Sequence, residues 1–224
     1  GRDGRIDWNR RAESALLGLR QLDNLIDINY LPIPEADNFD KNNRAVGMGI
    51  IGFADTLEQL GFPYESQESY NLIDRVCEFI SYMAIDESAN LTQKKGSYTH
   101  FAGSGWSKGY VPIDTVKMLE ENRQEKVTVE QDVYSLELDW NALRARVKQG
   151  MRNATVMAIA PTANIGVVSG TSTGIDPRFA QMFSRNSHAG KHLEINFNLV
   201  HDLKRLGLWE QTKAQILQNY GDLT

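Results

Sequence analysis

The stretch GMGIIG, Gly47 to Gly52, lies within NNRAVGMGIIGFADTLEQLGF. As a pattern it is G-x-G-x-x-G, the fingerprint with which dinucleotide-binding folds cradle a pyrophosphate. That reading needs a hydrophobic strand before the first glycine and a helix after the last. It also needs a second strand and an acidic residue about 20 positions on. The residues ahead of Gly47 are Asn42, Asn43, Arg44, Ala45 and Val46, too few and too polar for a central strand. After Gly52 the helical pattern FADTLEQLG is short and stops at Gly61, where a left-handed cap fits. The next element is a long helix. No βαβ unit can be drawn, and the glycines read instead as points where backbones pass closely.

Upstream, Asp7 can cap a helix whose apolar positions Ala12, Ala15, Leu16, Leu19, Leu22 and Ile26 fall three and four apart. LPIPEAD, with Pro32 and Pro34, interrupts it. Downstream, Ser66 can cap a helix that runs to Lys95 and stops at Gly96, with Leu72, Val76, Phe79, Ile80 and Met83 on its buried face. Residues 96–112 read as an irregular connection, Asp114 to Glu121 as a short helix, and 122–137 as a charged surface excursion. Asp139 can cap the helix WNALRARVKQ, with Gly150 past its end. ATVMAIA, residues 154–160, is a short unbroken apolar run, the pattern of a strand buried on both faces. LEINFNLVHDLKRLGLW then reads as an extended piece and a closing helix.

The chain has 224 residues, 41% of them hydrophobic, enough for a sizeable core. Its net charge is −5 and it has no long basic run, which argues against double-stranded nucleic acid as a partner. The single cysteine, Cys77, allows no intrachain disulfide and fits a reducing compartment. No apolar run approaches the roughly 20 residues of a membrane span. A charged start on Gly1 and an end on the turn-forming QNYGDLT read as a piece of something larger.

Candidate sites are few. Cys77 lies between Val76 and Phe79 on a helix, where a buried, inert thiol is expected. His188 and His192 have helical metal spacing, but Gly190 between them argues for a loop and against zinc. No carboxylate pair stands out. PTANIG, Pro161 to Gly166, differs. It follows an apolar strand pattern, opens on a proline, and its small residues expose consecutive backbone N–H groups. A helical turn can begin at Asn164, and such N–H groups bind phosphate without a cationic side chain. The alternative is an ordinary strand-to-helix turn capped by Thr162. Local chemistry does not separate the two.

A wider pattern does. NRAVGMGIIGFADTLEQLG, GYVPIDT, RNATVMAIAPTANIGVVSGTSTGIDP and FNLVHDLKRLGLW, in this order and with QLDNLIDINYLPIP upstream, resemble the catalytic barrel of the ribonucleotide reductase large (alpha) subunit. The closing segment is similar to class I more than to the cobalamin-dependent class II. The resemblance covers essentially the whole chain. It implies an α/β fold, a helix-rich second half of a ten-stranded barrel, with residues 1–224 forming a single segment. It places the finger loop with its radical cysteine, and the regulatory domain, outside the chain. Cys77 matches none of the family's radical or redox cysteines.

By the same resemblance Pro161, Thr162, Ala163, Asn164 and Ile165 fall on the loop that binds the substrate's diphosphate. Relatives often carry Thr or Ser where this chain has Asn164 or Gly166, so here the backbone is left to make the contact. The implied activity is reduction of ribonucleoside diphosphates to deoxyribonucleotides for DNA synthesis, in the cytoplasm. The implied partners are the rest of the large subunit, a small subunit whose metal centre generates the radical, and a thioredoxin- or glutaredoxin-type reductant. An oligomer is implied for the whole enzyme, and this segment binds no cofactor, no DNA and no membrane. Alone it is expected to be inactive. The competing class of function is a non-catalytic binding or assembly module derived from the barrel. A neighbouring reading frame that carries the finger loop would separate the two.

Overall fold

The computed structural model describes residues 6–127, 137–187, 190–219 and 221. Ten α-helices and two strands occur among them. The first four helices are α1 (Trp8–Ile28), α2 (Pro34–Asn43), α3 (Phe53–Leu60) and α4 (Gln67–Lys95). Then come α5 (Gly105–Lys108), α6 (Pro112–Arg123), α7 (Trp140–Val147) and α8 (Ala163–Ser169). The strands β1 (Met182–Ser187) and β2 (Gly190–Ile195) precede α9 (Phe197–Arg205) and α10 (Trp209–Gln218). The chain divides into two compact units. One is formed by Gly1–Gly49 and Glu65–Ala160, the other by Ile50–Tyr64 and Pro161–Thr224.

In the first unit the expected caps form. Asp7 accepts the Arg10 N–H at 3.0 Å, Ser66 accepts that of Ser69 at 3.2 Å, and Asp139 accepts that of Ala142 at 2.9 Å. Each satisfies a donor that the first turn of a helix leaves free. Leu19 and Ile26 of α1 pack into a core with Ala84 and Ile85 of α4 and Leu143 and Val147 of α7. The α4 stripe buries Leu72, Val76, Phe79 and Ile80 as expected, while Met83 is only half-buried. LPIPEAD both breaks and restarts the chain: α1 ends at Ile28, and Pro34 opens α2, a helix that the sequence reading missed. Proline is at home there because a first-turn N–H has no partner to lose. The connection 96–112 contains a 3-10 turn and α5, and 128–136 of the expected surface excursion lies outside the described residues.

Asp23 of α1 has no exposed surface. Its carboxylate meets Arg44 at 2.8 Å, Lys95 at 2.9 Å and Arg152 at 3.2 Å. Asn153 Nδ2 donates to the same carboxylate at 3.2 Å and to the Arg44 carbonyl at 3.1 Å. Ser88 of α4 completes the set, donating to Asn153 Oδ1 at 2.9 Å. A buried carboxylate is tolerable only with such pairing. Arg44 itself has left-handed backbone, φ 47°, unusual for a residue with a Cβ. Its guanidinium, fixed by Asp23 and by Asp27 at 2.8 Å, holds it there.

This network aligns two stretches of backbone. Ala154 donates to Asn43 O, Val46 to Thr155 O, Met48 to Val156 O and Ala158 to Met48 O, at 2.9 to 3.2 Å. The result is one parallel bridge, Met48 to Met157, and not the expected strand buried on both faces. Of residues 154–160 only Val156 is buried, and Ile159 is 45% exposed. The reason is that the segment has a single backbone-paired neighbour among the described residues, with Trp106 Nε1 adding one side-chain bond to Ala154 O, so much of its apolar surface is left uncovered. The glycines of GMGIIG serve this pairing. A Cβ on Gly47 would lie 2.6 Å from Ala158 Cβ, and one on Gly49 would lie 2.6 Å from Ala158 O.

In the second unit β1 and β2 form an antiparallel pair in the register Met182 to Ile195. It is the one sheet among the described residues. The helix-rich character matches expectation; the barrel strands remain what the resemblance implies. Asn196 caps α9 by accepting from Asn198 and Leu199 N–H at 3.0 and 3.2 Å. The sequence reading stopped at that helix and missed α10, which follows a turn at Gly207. None of the helices is long and apolar enough to cross a membrane, among the described residues.

Two consequences can be measured. Burial by itself pushes the Asp23 carboxyl up, but Lys95, Arg44 and Arg152 outweigh it and hold the group below its ordinary value. A depressed folded pKa stabilises above the unfolded value of about 4 and loses that contribution as pH falls toward the folded one. Urea denaturation should show stability declining below about pH 4, and Asp23→Asn should flatten that decline. At neutral pH the same variant leaves buried cations unpaired and should cost about 3–5 kcal/mol. Separately, Gly49→Ala should destabilise by about 1–3 kcal/mol, because the methyl meets backbone. Tryptophan-fluorescence titration with NAD, NADP or FAD should show no saturable binding to the wild-type chain.

Candidate functional site

PTANIG sits in the second unit. After Pro161 the backbone turns sharply, because Thr162 adopts φ 47°, ψ 32°. A β-branched residue there is strained and needs support. The support is Thr162 Oγ1, which accepts the Gly174 N–H at 2.8 Å. The hydroxyl therefore does not cap α8, contrary to the simpler sequence reading. The helix begins at Ala163, one residue earlier than expected, and its first turn closes with the Gly166 N–H on Thr162 O at 2.9 Å.

The N–H groups of Ala163, Asn164 and Ile165 precede that bond. None of them has a hydrogen-bond partner among the described residues, and all three residues are exposed. Three neighbouring donors at the start of a helix favour an anion, chiefly through the N–H groups themselves. No lysine or arginine occurs between Asn153 and Pro177. Within this stretch of sequence, attraction can come only from backbone dipoles and hydroxyls.

The loop is backed by a second element. Gly166 is buried, and a Cβ there would lie 3.1 Å from Thr171 O. The turn 171–174 returns along α8, with the Thr171 N–H on Gly166 O at 2.9 Å. On its other side the turn meets the start of α3. Gly52 N–H donates to Ser172 O at 3.0 Å, Ser172 N–H to Asp55 Oδ2 at 2.5 Å, and Asp55 N–H to Ser172 Oγ at 3.3 Å.

Asp55 belongs to an ionic cluster. Arg178 Nε reaches Glu58 at 2.6 Å, and its Nη2 pairs with Asp55. Asn196 Nδ2 donates to Glu58 at 2.9 Å and Asn198 Nδ2 to Glu58 at 2.7 Å. Burial works against the Arg178 charge, but Glu58 and Asp55 outweigh it and hold the guanidinium above its ordinary value. Arg178, the first cation after the loop, is thus committed to carboxylates. The sequence reading found no carboxylate pair. Asp55 and Glu58 are one helical turn apart, a visible signal, but their cation lies 120 positions beyond Glu58.

The other candidates hold no chemistry of their own. Cys77 on α4 is half-buried, and burial together with the Asp74 carboxylate pushes its thiol up, so it stays protonated near neutrality. His188 lies outside the described residues, so the spacing with His192 is not realised in any described geometry. His100 and His201 are exposed. Among the described residues no group of three or more His, Cys, Asp or Glu could hold a metal ion.

Comparison with known proteins bears on the family. A family model described as the ribonucleotide reductase barrel domain matches residues 1–223. The ribonucleoside-diphosphate reductase subunit alpha of Chlamydia pneumoniae is 39% identical, over 93% of this chain and 20% of that protein. The subunit alpha of Helicobacter pylori (strain 26695) is 39% identical, over 77% of this chain and 21% of that protein. The large subunit of Caenorhabditis elegans is 30% identical, over 98% of this chain and 26% of that protein. The chain thus spans about a fifth to a quarter of the length of these relatives.

Proposed function

Because this chain belongs to the ribonucleotide reductase barrel-domain family, we propose that it supplies the substrate's phosphate site of a ribonucleoside-diphosphate reductase large subunit. Pro161, Thr162, Ala163, Asn164 and Ile165 form that site. Pro161 and the left-handed Thr162 turn the chain, Ala163 leaves room for close approach, and the N–H groups of Ala163, Asn164 and Ile165 face the diphosphate. The observation that carries this reading is a set of three N–H groups on exposed residues, without a partner among the described residues, on a loop held from behind.

The chemistry of nucleotide reduction lies elsewhere. The radical cysteine and the reducing dithiol come from the rest of the large subunit, since Cys77 is the one cysteine here and its thiol stays protonated. The radical comes from the metal centre of a separate small subunit, and electrons come from a thioredoxin- or glutaredoxin-type protein. This segment contributes binding and orientation: it anchors the end of the nucleotide remote from the reacting ribose. Alone it turns nothing over. The complete enzyme is an oligomer of the cytoplasm and makes deoxyribonucleotides for DNA synthesis.

A contact far from the reacting atoms is felt about equally in ground and transition states, so its loss raises KM more than it lowers kcat. Ala163→Asp tests this with opposite signs. A carboxylate in the first turn suits the α8 N-terminus, so thermal stability should hold or rise. The same carboxylate competes for the N–H groups and repels a diphosphate. In the complete large subunit KM for the ribonucleoside diphosphate should rise about tenfold or more, equivalent to about 1.4 kcal/mol or more, with kcat little changed. An unchanged KM in a folded variant would put the phosphate elsewhere.

A further inference from the structure

We propose that Asp55 is a positioning residue for nucleotide binding: it sets the phosphate loop through the turn 171–174, without touching the substrate. The inference rests on the reading of Pro161 to Ile165 as the phosphate site.

The geometry forms a short relay. Ser172 and Asp55 exchange hydrogen bonds, the Ser172 N–H to Asp55 Oδ2 at 2.5 Å and the Asp55 N–H to Ser172 Oγ at 3.3 Å. Two residues on, the Gly174 N–H donates to Thr162 Oγ1 at 2.8 Å. From the same turn the Thr171 N–H holds Gly166 O at 2.9 Å. Thr162 and Gly166 bracket the three N–H groups of the loop, so a shift of the turn moves both ends of the donor set. Thr162 is also the residue whose left-handed backbone needs outside support.

The geometry requires two acceptor oxygens at residue 55. Its Oδ2 receives the Ser172 N–H, and its Oδ1 receives Arg178 and, at 3.3 Å, Asn198 Nδ2. Every group that faces it is a donor. Asparagine offers a single acceptor oxygen. Its amide nitrogen would face either the Ser172 N–H or the Arg178 guanidinium, donor against donor. Glu58 keeps its own bonds to Arg178, Asn196 and Asn198, which hold α3 when residue 55 changes. The Gly52 N–H still reaches Ser172 O at 3.0 Å. A change at Asp55 is therefore expected to move the turn more than to unfold the unit.

The test uses the complete large subunit with its small subunit and reductant. Three quantities are read: KM for the ribonucleoside diphosphate, kcat, and the inhibition constant of inorganic pyrophosphate, which occupies a phosphate site without a ribose. Asp55→Asn should raise KM and the pyrophosphate constant together, by about tenfold, the scale of one lost charge-assisted hydrogen bond. The kcat should stay within about twofold. Asp55→Glu keeps the charge for Arg178 but displaces the carboxylate by one methylene; it carries the test if the asparagine variant does not fold, with the same direction expected. A folded Asp55 variant with normal KM and pyrophosphate constant, beside Ala163→Asp with raised values, would overturn this inference and leave the loop reading standing. Normal values in all of them would overturn both. A fall in kcat with neither constant moved would reduce Asp55 to a purely structural residue and overturn the inference.

Discussion

Asp23 carries a negative charge at a place with no exposed surface, and four side chains of the first unit converge to make that tolerable. An unpaired carboxylate there would be expelled or protonated. Three cations from three separate parts of the sequence converge on it: Arg44 after α2, Lys95 at the end of α4 and Arg152 after α7. Each fixes one backbone segment relative to α1. Asn153 ties two of these segments directly, since it bonds both Asp23 and the Arg44 carbonyl. The parallel pairing of 43–48 with 154–158 follows from that convergence. The closeness demanded by that pairing is what excludes side chains at Gly47 and Gly49.

The same economy of charge recurs in the second unit with a different result. Arg178 is shared between Asp55 and Glu58, which leaves a carboxylate charge in excess, and two asparagine side chains donate to the same acceptors. Arg178, committed to these two carboxylates, is not left over for the loop at 161–166. A site built in this way binds an anion by oriented N–H groups alone. Such a site suits a substrate that must be held by its phosphates and later released, because it adds direction without a fixed positive charge. Under the proposed function duties are also separate: this segment orients the substrate, and the radical and redox chemistry belongs to the rest of the large subunit.

Local chemistry was legible in the sequence wherever one residue decides it. Asp7, Ser66 and Asp139 cap helices because each has a short acceptor side chain ahead of a helical pattern, and Gly61 and Gly96 end helices because glycine tolerates the positive φ each adopts. What failed depended on distant partners. The run 154–160 has the composition of a doubly buried strand, yet burial is decided by what lies beside it, and here one neighbour pairs with it. The helix at Pro34 was misread because proline breaks a helix from within and opens one at its first turn. Asp23 stands in sequence as one polar residue of α1, and nothing nearby announces that Arg44, Lys95 and Arg152 will meet it. The loop 161–166 was visible as small residues after an apolar run. Its left-handed Thr162 and the Asp55 turn behind it were not, because both depend on residue 174 and α3. The family was legible from the combination of motifs, and the family match over residues 1–223 agrees with it.

The central claim is that the N–H groups of Ala163, Asn164 and Ile165 hold the substrate's phosphates. The most direct measurement is a crystal structure of the complete large subunit with a ribonucleoside diphosphate bound. Phosphate oxygens should lie about 2.7–3.2 Å from these three nitrogens, with Thr162 still left-handed and Arg178 still on Asp55 and Glu58. A diphosphate seated away from residues 161–166, with the three N–H groups facing only water, would contradict it.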